Sequence, residues 1–354
     1  MRIRWQLWLG IAGLLVFIYA TRGVLLPFVA GLAVAYLLDP LADRLEEWHF
    51  PRWLAAATIL FLFFVVATGV FLAMLPIIQV QLFALVENLP GYLEGVRPLV
   101  DNLLLRISDS FHVEVTDAES LIASIAAKGL DRMGDVISGL MSQGAALFNL
   151  LTLLLISPVV AFFLLRDWDV IVTTIDGWLP AEQGPVIRTL AGRIDKALAG
   201  FVRGQTMVSL IMATLYAIGW SAVGLNYGLI LGLLAGILAY VPFVGALVAM
   251  LIAMIVGLGQ FGPDSGPLLQ VFGVFVVVQI IEGAFLTPRL IGSRVGLHPV
   301  WVLFAIFAGG EIMGLVGVLI ALPVAAATAV MVRHVIERYL DSTLKKGNEP
   351  AGEA

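Results

Sequence analysis

The chain has 354 residues, of which 60% are hydrophobic and only 13% are charged, and its formal net charge is -5. Soluble proteins are nearer half apolar and a quarter charged, so this composition excludes an ordinary water-soluble domain and predicts an all-α integral membrane protein. The acidic balance argues against a nucleic-acid partner. The cysteine-free sequence excludes disulfides, thiol nucleophiles and cysteine-ligated metal.

Two short apolar runs open the chain, residues 5–20 and 23–38, and Thr21-Arg22-Gly23 separates them. Each run is near the minimum length of a membrane span. A hairpin of two helices is therefore favoured over one helix of about 50 Å, which would exceed a hydrocarbon core of about 30 Å. A cleaved signal peptide is the alternative for the first run. Asp39-Pro40 is predicted to end the second helix, because proline has no amide donor.

The next two spans are predicted at residues 53–75, stopped by Pro76, and at residues 147–165, stopped by Arg166-Asp167. The more polar section between them predicts about three amphipathic helices with a break at Pro90-Gly91. A second amphipathic section, 167–205, leads into a fifth span at 206–223.

The last third contains two apolar segments, 228–257 and 300–332, that are too long for one straight span. Each carries a break, at Pro242 in the first and at Gly309-Gly310-Glu311 in the second. We predict that both are helical hairpins, with long tilted spans as the alternative. The predicted organisation is N-terminal transmembrane helices (1–76), an extracytoplasmic amphipathic section (77–146), a transmembrane helix (147–166), a cytoplasmic amphipathic section (167–205), a C-terminal transmembrane core (206–335) and a cytoplasmic tail (336–354).

Basic residues favour the cytoplasmic side of a membrane. Arg2 and Arg4 therefore place the N-terminus inside, and counting spans places the acidic section 77–146 outside. With two hairpins in the last third, the loop 288–298 and the tail 336–354 are both expected inside.

Several short motifs occur in order along the chain. They are Tyr36-Leu-Leu-Asp39-Pro40, Phe162-Phe-Leu-Leu-Arg-Asp167, Arg203-Gly204-Gln205, Pro242-Phe-Val-Gly245, Glu282-Gly, Pro288-Arg-Leu-Ile-Gly292, Gly296-Leu-His298-Pro299, Gly309-Gly310-Glu-Ile-Met-Gly314 and Gly317 to Pro323. Together they resemble the autoinducer-2 exporter (AI-2E) family, the PerM-like permeases. The resemblance implies a multi-spanning transporter of the bacterial inner membrane with about eight hydrophobic segments. It does not fix the solute, because members are associated both with export of a quorum-sensing signal and with sodium/proton exchange.

Two carboxylates stand in the apolar last third, Glu282 and Glu311. A carboxylate inside a span usually faces a cavity or a partner, so both are candidates for solute or ion binding. Gln279, one turn before Glu282, and Pro242 are grouped with them. We hypothesise that Glu282, Glu311 and Pro242 converge on one polar cavity. The alternative is structural, with Glu282 paired to Arg289 two turns further along the helix.

Two further polar residues and a set of glycines complete the candidates. Arg289 is either a cytoplasmic anchor or a contact for an anionic or hydroxylated solute, and His298 is either a titrating group or the partner of a helix end. The candidate hinge positions are Gly245, Gly292, Gly296, Gly309, Gly310 and Gly314.

The sequence contains no phosphate loop, zinc-ligand spacing or nucleophile elbow, so neither catalysis nor a cofactor or metal is expected. The leading hypothesis is a transporter of a small polar solute, such as autoinducer-2. A sodium/proton antiporter and a non-transporting membrane scaffold are the alternatives. Membrane lipids, Na⁺ or H⁺, and further copies of this chain in a homo-oligomer are the expected partners.

Overall fold

The computed structural model describes residues 10, 13, 16–111, 145–181, 184–262, 265–291 and 298–347, and within these ranges the regular elements are all helical. In chain order the α-helices are α1 (Leu25–Glu47), α2 (Arg52–Phe111), α3 (Ala145–Gly177), α4 (Gly184–Ala222), α5 (Gly228–Leu238), α6 (Val244–Phe261), α7 (Ser265–Ile281) and α8 (Pro299–Gly347). A π-helical stretch, Glu282–Ile291, follows α7. Within the described residues, six helical stretches are long and apolar enough to cross a membrane. The predicted all-α membrane class is confirmed.

The chain divides into two compact units, each assembled from separated stretches. Unit 1 takes in Met1–Phe63, Leu153–Thr206 and Thr287–Ala354, and unit 2 takes in Phe64–Thr152 and Met207–Leu286. Each unit contains one of the two long apolar segments of the last third.

In unit 1, α1 lies against α3, α4 and α8. Phe201 and Val202 of α4 form a buried cluster with Leu322 of α8, and Tyr36 of α1 packs against that cluster. Gly31 allows α1 to approach α3 closely, because a methyl group there would lie 2.9 Å from the carbonyl oxygen of Ser157.

In unit 2, α5 packs on the last turns of α4 through small residues. Gly228, Gly232 and Gly236 recur every fourth position and face the backbone of α4; a methyl group on Gly236 would lie 2.7 Å from the carbonyl oxygen of Ser209. Without a hydrophobic driving force between helices in lipid, close contacts between small residues are a main source of helix association.

Both long apolar segments reverse direction, as the hairpin prediction requires. Residues 239–243 join α5 to α6, whose facing surfaces are in contact. In α8 the break is at Gly314, with φ 61° and ψ -138°. A methyl group on Gly309 would lie 2.5 Å from the carbonyl oxygen of Gly317. In a straight helix these residues would be about 12 Å apart along the axis, so the chain folds back on itself.

The predicted helix ends at Pro40, Pro76 and Pro90-Gly91 are wrong, because α1 continues to Glu47 and α2 runs from Arg52 to Phe111. A proline in a membrane helix is tolerated where another group satisfies the carbonyl that it leaves free. At Pro40 the group that satisfies the free carbonyl is a side chain of α4. The carbonyl four residues earlier belongs to Tyr36, and it accepts a hydrogen bond of 2.7 Å from Nε of Arg203.

Arg166-Asp167 does not end α3 either, since that helix continues to Gly177. The two side chains pair with each other, with Nη2 and Oδ2 2.6 Å apart, and this hydrogen bond holds the pKa of Asp167 below its usual value. Helix α4 is continuous through residue 205, so the change predicted there from an amphipathic section to a span lies within one helix and stays a prediction.

Two predictions lie partly or wholly outside the described residues. A short 3-10 turn, Arg22–Val24, stands where the N-terminal hairpin was expected to turn. Most of residues 5–20 lie outside the described ranges, so the N-terminal hairpin stays a prediction. The amphipathic helices expected within 112–144 also lie outside the described residues.

Candidate functional site

The tip of the unit 2 hairpin is a tight turn centred on Phe243. The amide of Val244 donates a 2.7 Å hydrogen bond to the carbonyl of Pro242. Phe243 itself has φ 63° and ψ -52°. This is a γ-turn of the rare, strained kind with positive φ. Gly245 has no room for a side chain, because an added methyl group would collide with the carbonyl of Leu238.

The strain at Phe243 gives a direct prediction. Glycine adopts positive φ without a steric penalty, so Phe243→Gly is expected to be more stable than Phe243→Ala by about 1 kcal/mol. Phe243→Pro, whose ring fixes φ near -65°, is expected to be the least stable. Thermal unfolding of the purified variants in detergent checks this order. Equal stability of the glycine and alanine variants would show that the turn is not strained.

Also in unit 2, Glu282 is the half-buried first residue of the π-helical stretch. Such stretches are rare and frequently mark functional sites. One turn earlier, Gln279 accepts a 3.0 Å hydrogen bond from the hydroxyl of Tyr216, which is buried and stacked on Trp220 with ring centroids 4.6 Å apart. Gln279 is therefore held in place. Among the described residues, no side chain forms a hydrogen bond or an ion pair with the Glu282 carboxylate.

The tip of the unit 1 hairpin carries the second predicted carboxylate. Glu311 is exposed and lies three residues before the break at Gly314. The neighbouring carbonyl of Ile312 accepts a 3.0 Å hydrogen bond from Nη1 of Arg22. The guanidinium of Arg22 also lies 4.6 Å from the ring centroid of Tyr19. A basic side chain from the N-terminal region thus binds a backbone group at the hairpin tip.

The remaining predicted residues fall in several places. His298 stands at the start of α8, where its Nδ1 accepts a 3.3 Å hydrogen bond from the amide of Val300 and so acts as the partner of a helix end. Arg289 is exposed in the π-helical stretch and belongs to unit 1. Gly292 and Gly296 lie outside the described residues. Because Glu282 and Pro242 belong to unit 2 and Glu311 to unit 1, their convergence on one cavity stays a prediction.

Unit 1 also holds a polar network of residues that lie outside the predicted site. The hydroxyl of Tyr36 donates to Oδ1 of Asp195 over 3.0 Å. Arg203 donates to the Tyr36 carbonyl and, over 3.3 Å, to Oδ2 of Asp39. Burying polar groups among membrane-class helices is costly unless they are hydrogen-bonded. These bonds connect α1 to α4 and satisfy the groups that the two helices bury.

Arg52 extends this network to α2 and α3. Its guanidinium donates to Oδ1 of Asp39 over 3.0 Å and to the carbonyl of Leu165 over 2.9 Å. It also pairs with Asp43 at 2.5 Å and Glu46 at 3.0 Å. The side chain of Arg52 is only 17% exposed, although both outer carboxylates are more than half exposed. Arg52 therefore connects α2, on which it lies, to both α1 and α3.

A small cavity of about 60 Å³ lies beside the network. Its polar lining consists of Tyr36, Asp39, Asp195 and Arg203, with Trp168 and the apolar residues Leu32, Ala35, Leu164, Leu165 and Ala199 completing the wall. The sequence does carry a signal for this cavity, because the motifs at Tyr36, Asp39 and Arg203 place polar side chains within apolar helices. The sequence alone did not show that these motifs meet Asp195.

Apolar helices long enough to cross a membrane, two helical hairpins and polar side chains set among them define a multi-pass all-α membrane protein. The chain belongs to the AI-2E transporter family, because the model of that family matches residues 9–337. The predicted family is therefore confirmed, and the protein is a membrane transporter.

Curated relatives cover nearly the same length. PerM of Escherichia coli (strain K12), which is named as a permease, is 29% identical over 92% of this chain and 90% of its own. YrrI of Bacillus subtilis (strain 168), named as a transport protein, is 29% identical over 88% of this chain and 87% of its own. YueF of the same strain, also named as a transport protein, is 26% identical over 87% and 83%. These names describe permeases and transport proteins rather than enzymes.

Proposed function

We propose that this transporter is a secondary carrier that moves a small polar solute across the bacterial inner membrane, with both termini in the cytoplasm. The observation that carries the proposal is the pair of helical hairpins with irregular tips, one in each unit. Broken membrane helices expose backbone groups and helix ends that bind polar solutes and coupling ions in secondary transporters. A protein that only anchors partners has no evident need of two such tips.

The contacts at the tips support a role in binding. Gly314 and Phe243 both adopt a positive φ, which is strained for Phe243 because it carries a side chain. Neither tip is therefore a simple continuation of its helix. Strained backbone persists where the surroundings impose it, and it clusters at binding and switching sites. The carbonyl of Ile312 accepts a hydrogen bond from the guanidinium of Arg22, which supports a role of the tip in binding positively charged groups.

Glu282 is the group that we propose as the coupling residue. It is a half-buried carboxylate inside an apolar stretch, and the described residues supply it with no ion-pair partner. A structural carboxylate in a membrane is normally paired, whereas one that binds a proton, an ion or a solute must be free to change partner. Glu311, exposed beside its hairpin tip, is the second candidate.

Replacing Glu282 by glutamine tests this role, because the substitution keeps the shape and removes the charge. We expect Glu282→Gln to insert and fold normally, yet to lose the pH dependence of solute transport in proteoliposomes. Glu47→Gln is the matched control, since Glu47 is an exposed carboxylate at the end of α1. Unchanged pH-dependent transport in both Glu282→Gln and Glu311→Gln would leave these carboxylates as structural residues.

The same proteoliposome assay can identify the solute that is transported. Export of a quorum-sensing signal such as autoinducer-2 is one form of the proposed activity. Sodium/proton antiport is the second candidate. It is favoured because the described residues supply the half-buried carboxylate of Glu282 with no ion-pair partner. Sodium uptake driven by a pH gradient would distinguish antiport from solute export. Assembly as a homo-oligomer was predicted from the amphipathic sections. We propose that the chain forms a homo-oligomer held partly by these sections.

A further inference from the structure

We propose that the cavity between α1, α3 and α4 is a binding site for a small monovalent cation, either an alkali metal ion or a primary ammonium group, held by Asp195 and Tyr36. The inference goes beyond the proposed transport activity, because binding at equilibrium does not require movement across the membrane. It rests on the charge balance, the ligand atoms and the size of the cavity in unit 1.

The charge balance favours a cation. Asp39 is already matched by two guanidiniums, with Nη2 of Arg52 at 3.0 Å and Nη2 of Arg203 at 3.3 Å. Asp195 differs, because its hydrogen-bond partner is the neutral hydroxyl of Tyr36, and no described lysine, arginine or histidine forms an ion pair with it. A half-buried carboxylate without a cation attracts one.

An anion is not favoured here. The charged lining of the cavity is two carboxylates, Asp39 and Asp195, and one guanidinium, Arg203, which leaves one negative charge in excess. Arg203 is further occupied by the carbonyl of Tyr36. The guanidinium that an anion would need therefore already has acceptors.

The ligand atoms and the volume restrict the cation to a small one. Carboxylate and hydroxyl oxygens are hard ligands that suit alkali and alkaline-earth ions, whereas zinc and copper favour nitrogen and sulfur. The cavity of about 60 Å³ has room for roughly four water-sized groups. Trp168 lines the wall beside Tyr36, with ring centroids 6.2 Å apart. An aromatic face beside a carboxylate also suits an ammonium group.

The position of the site gives binding a structural consequence. Tyr36 and Asp39 are on α1, Asp195 and Arg203 are on α4, and the wall of the cavity includes Leu165 of α3. A cation between Tyr36 and Asp195 would add a charged contact that draws α1 and α4 together. Binding is therefore expected to stabilise unit 1.

The test is equilibrium dialysis of the purified full-length protein in detergent, with radiolabelled sodium and radiolabelled methylammonium as separate probes at mildly alkaline pH. Wild-type protein is expected to bind at least one probe saturably. Asp195→Asn is expected to weaken that binding about tenfold or more, because it removes the charge partner. Tyr36→Phe keeps the ring against Trp168, removes one ligand oxygen, and is expected to weaken binding less.

Asp169→Asn is the matched control, since Asp169 is exposed on α3 and does not line the cavity, so its binding is expected to equal that of wild type. Sodium binding without methylammonium binding identifies an alkali-ion site, and the reverse identifies an ammonium site. The proposal is overturned if wild-type protein binds neither probe. It is equally overturned if folded Asp195→Asn and Tyr36→Phe both bind with wild-type affinity.

Discussion

Replacing Gly317 by valine is expected to abolish transport and to lower the free energy of unfolding by about 3 kcal/mol or more. The reason is the closeness of the two arms of α8. A β-carbon on Gly317 would collide with the backbone carbonyl of Gly309, which cannot move aside as a flexible side chain could. The arms must separate to admit the valine, and the tip between them loses its geometry. Thermal unfolding in detergent and solute uptake by proteoliposomes measure the two effects.

Gly273→Val provides the matched control for this prediction. Gly273 lies inside α7, and nothing lies within 4 Å of the position that its β-carbon would take. The control is expected to retain both stability and transport. If Gly317→Val behaved like Gly273→Val, the two arms of α8 would not be in contact in the working protein.

Replacing Arg203 by alanine is expected to cost about 2–3 kcal/mol, because it leaves the carbonyl of Tyr36 without a donor and removes one partner of Asp39. That carbonyl needs Arg203 because the residue four positions later is Pro40, which has no amide proton. Restoring the amide with Pro40→Ala should therefore recover part of the loss. We expect a coupling free energy of about 1 kcal/mol between the two positions in a double-mutant cycle.

The cycle consists of wild type, the two single variants and the double variant, each unfolded in detergent. The remaining cost in the Pro40→Ala background reports the bond between Arg203 and Asp39. An equal cost of Arg203→Ala in both backgrounds would show that the Tyr36 carbonyl does not depend on the guanidinium. Lys196→Ala, an exposed cation on the same helix, controls for the loss of a positive charge.

The two hairpins show what the sequence could predict. Segment length set against bilayer thickness indicated that neither 228–257 nor 300–332 was one straight span, and local breaks at Pro242 and Gly309-Gly310 indicated where each would turn. Both signals are local, so they can be read without knowing the rest of the fold. The observed breaks lie at or within a few residues of the predicted ones.

Pro40 shows what the sequence could not predict. Whether a proline ends a membrane helix depends on whether a distant group satisfies the freed carbonyl. Here the donor is Arg203, 167 residues after Tyr36 in the sequence. The partnership of Tyr36 with Asp195, 159 residues away, is non-local in the same way. Periodicity and motif spacing do not report such pairs, so the cavity beside them appears only in the folded chain.

Secondary transport by this protein is tested by the uptake of labelled solutes by vesicles that contain the purified protein. We expect saturable uptake of a small polar solute or of sodium that exceeds the leak of protein-free vesicles, depends on a pH or sodium gradient, and is absent in vesicles with Gly317→Val. Uptake equal to that of protein-free vesicles for every solute and gradient, with correctly folded wild-type protein, would contradict it.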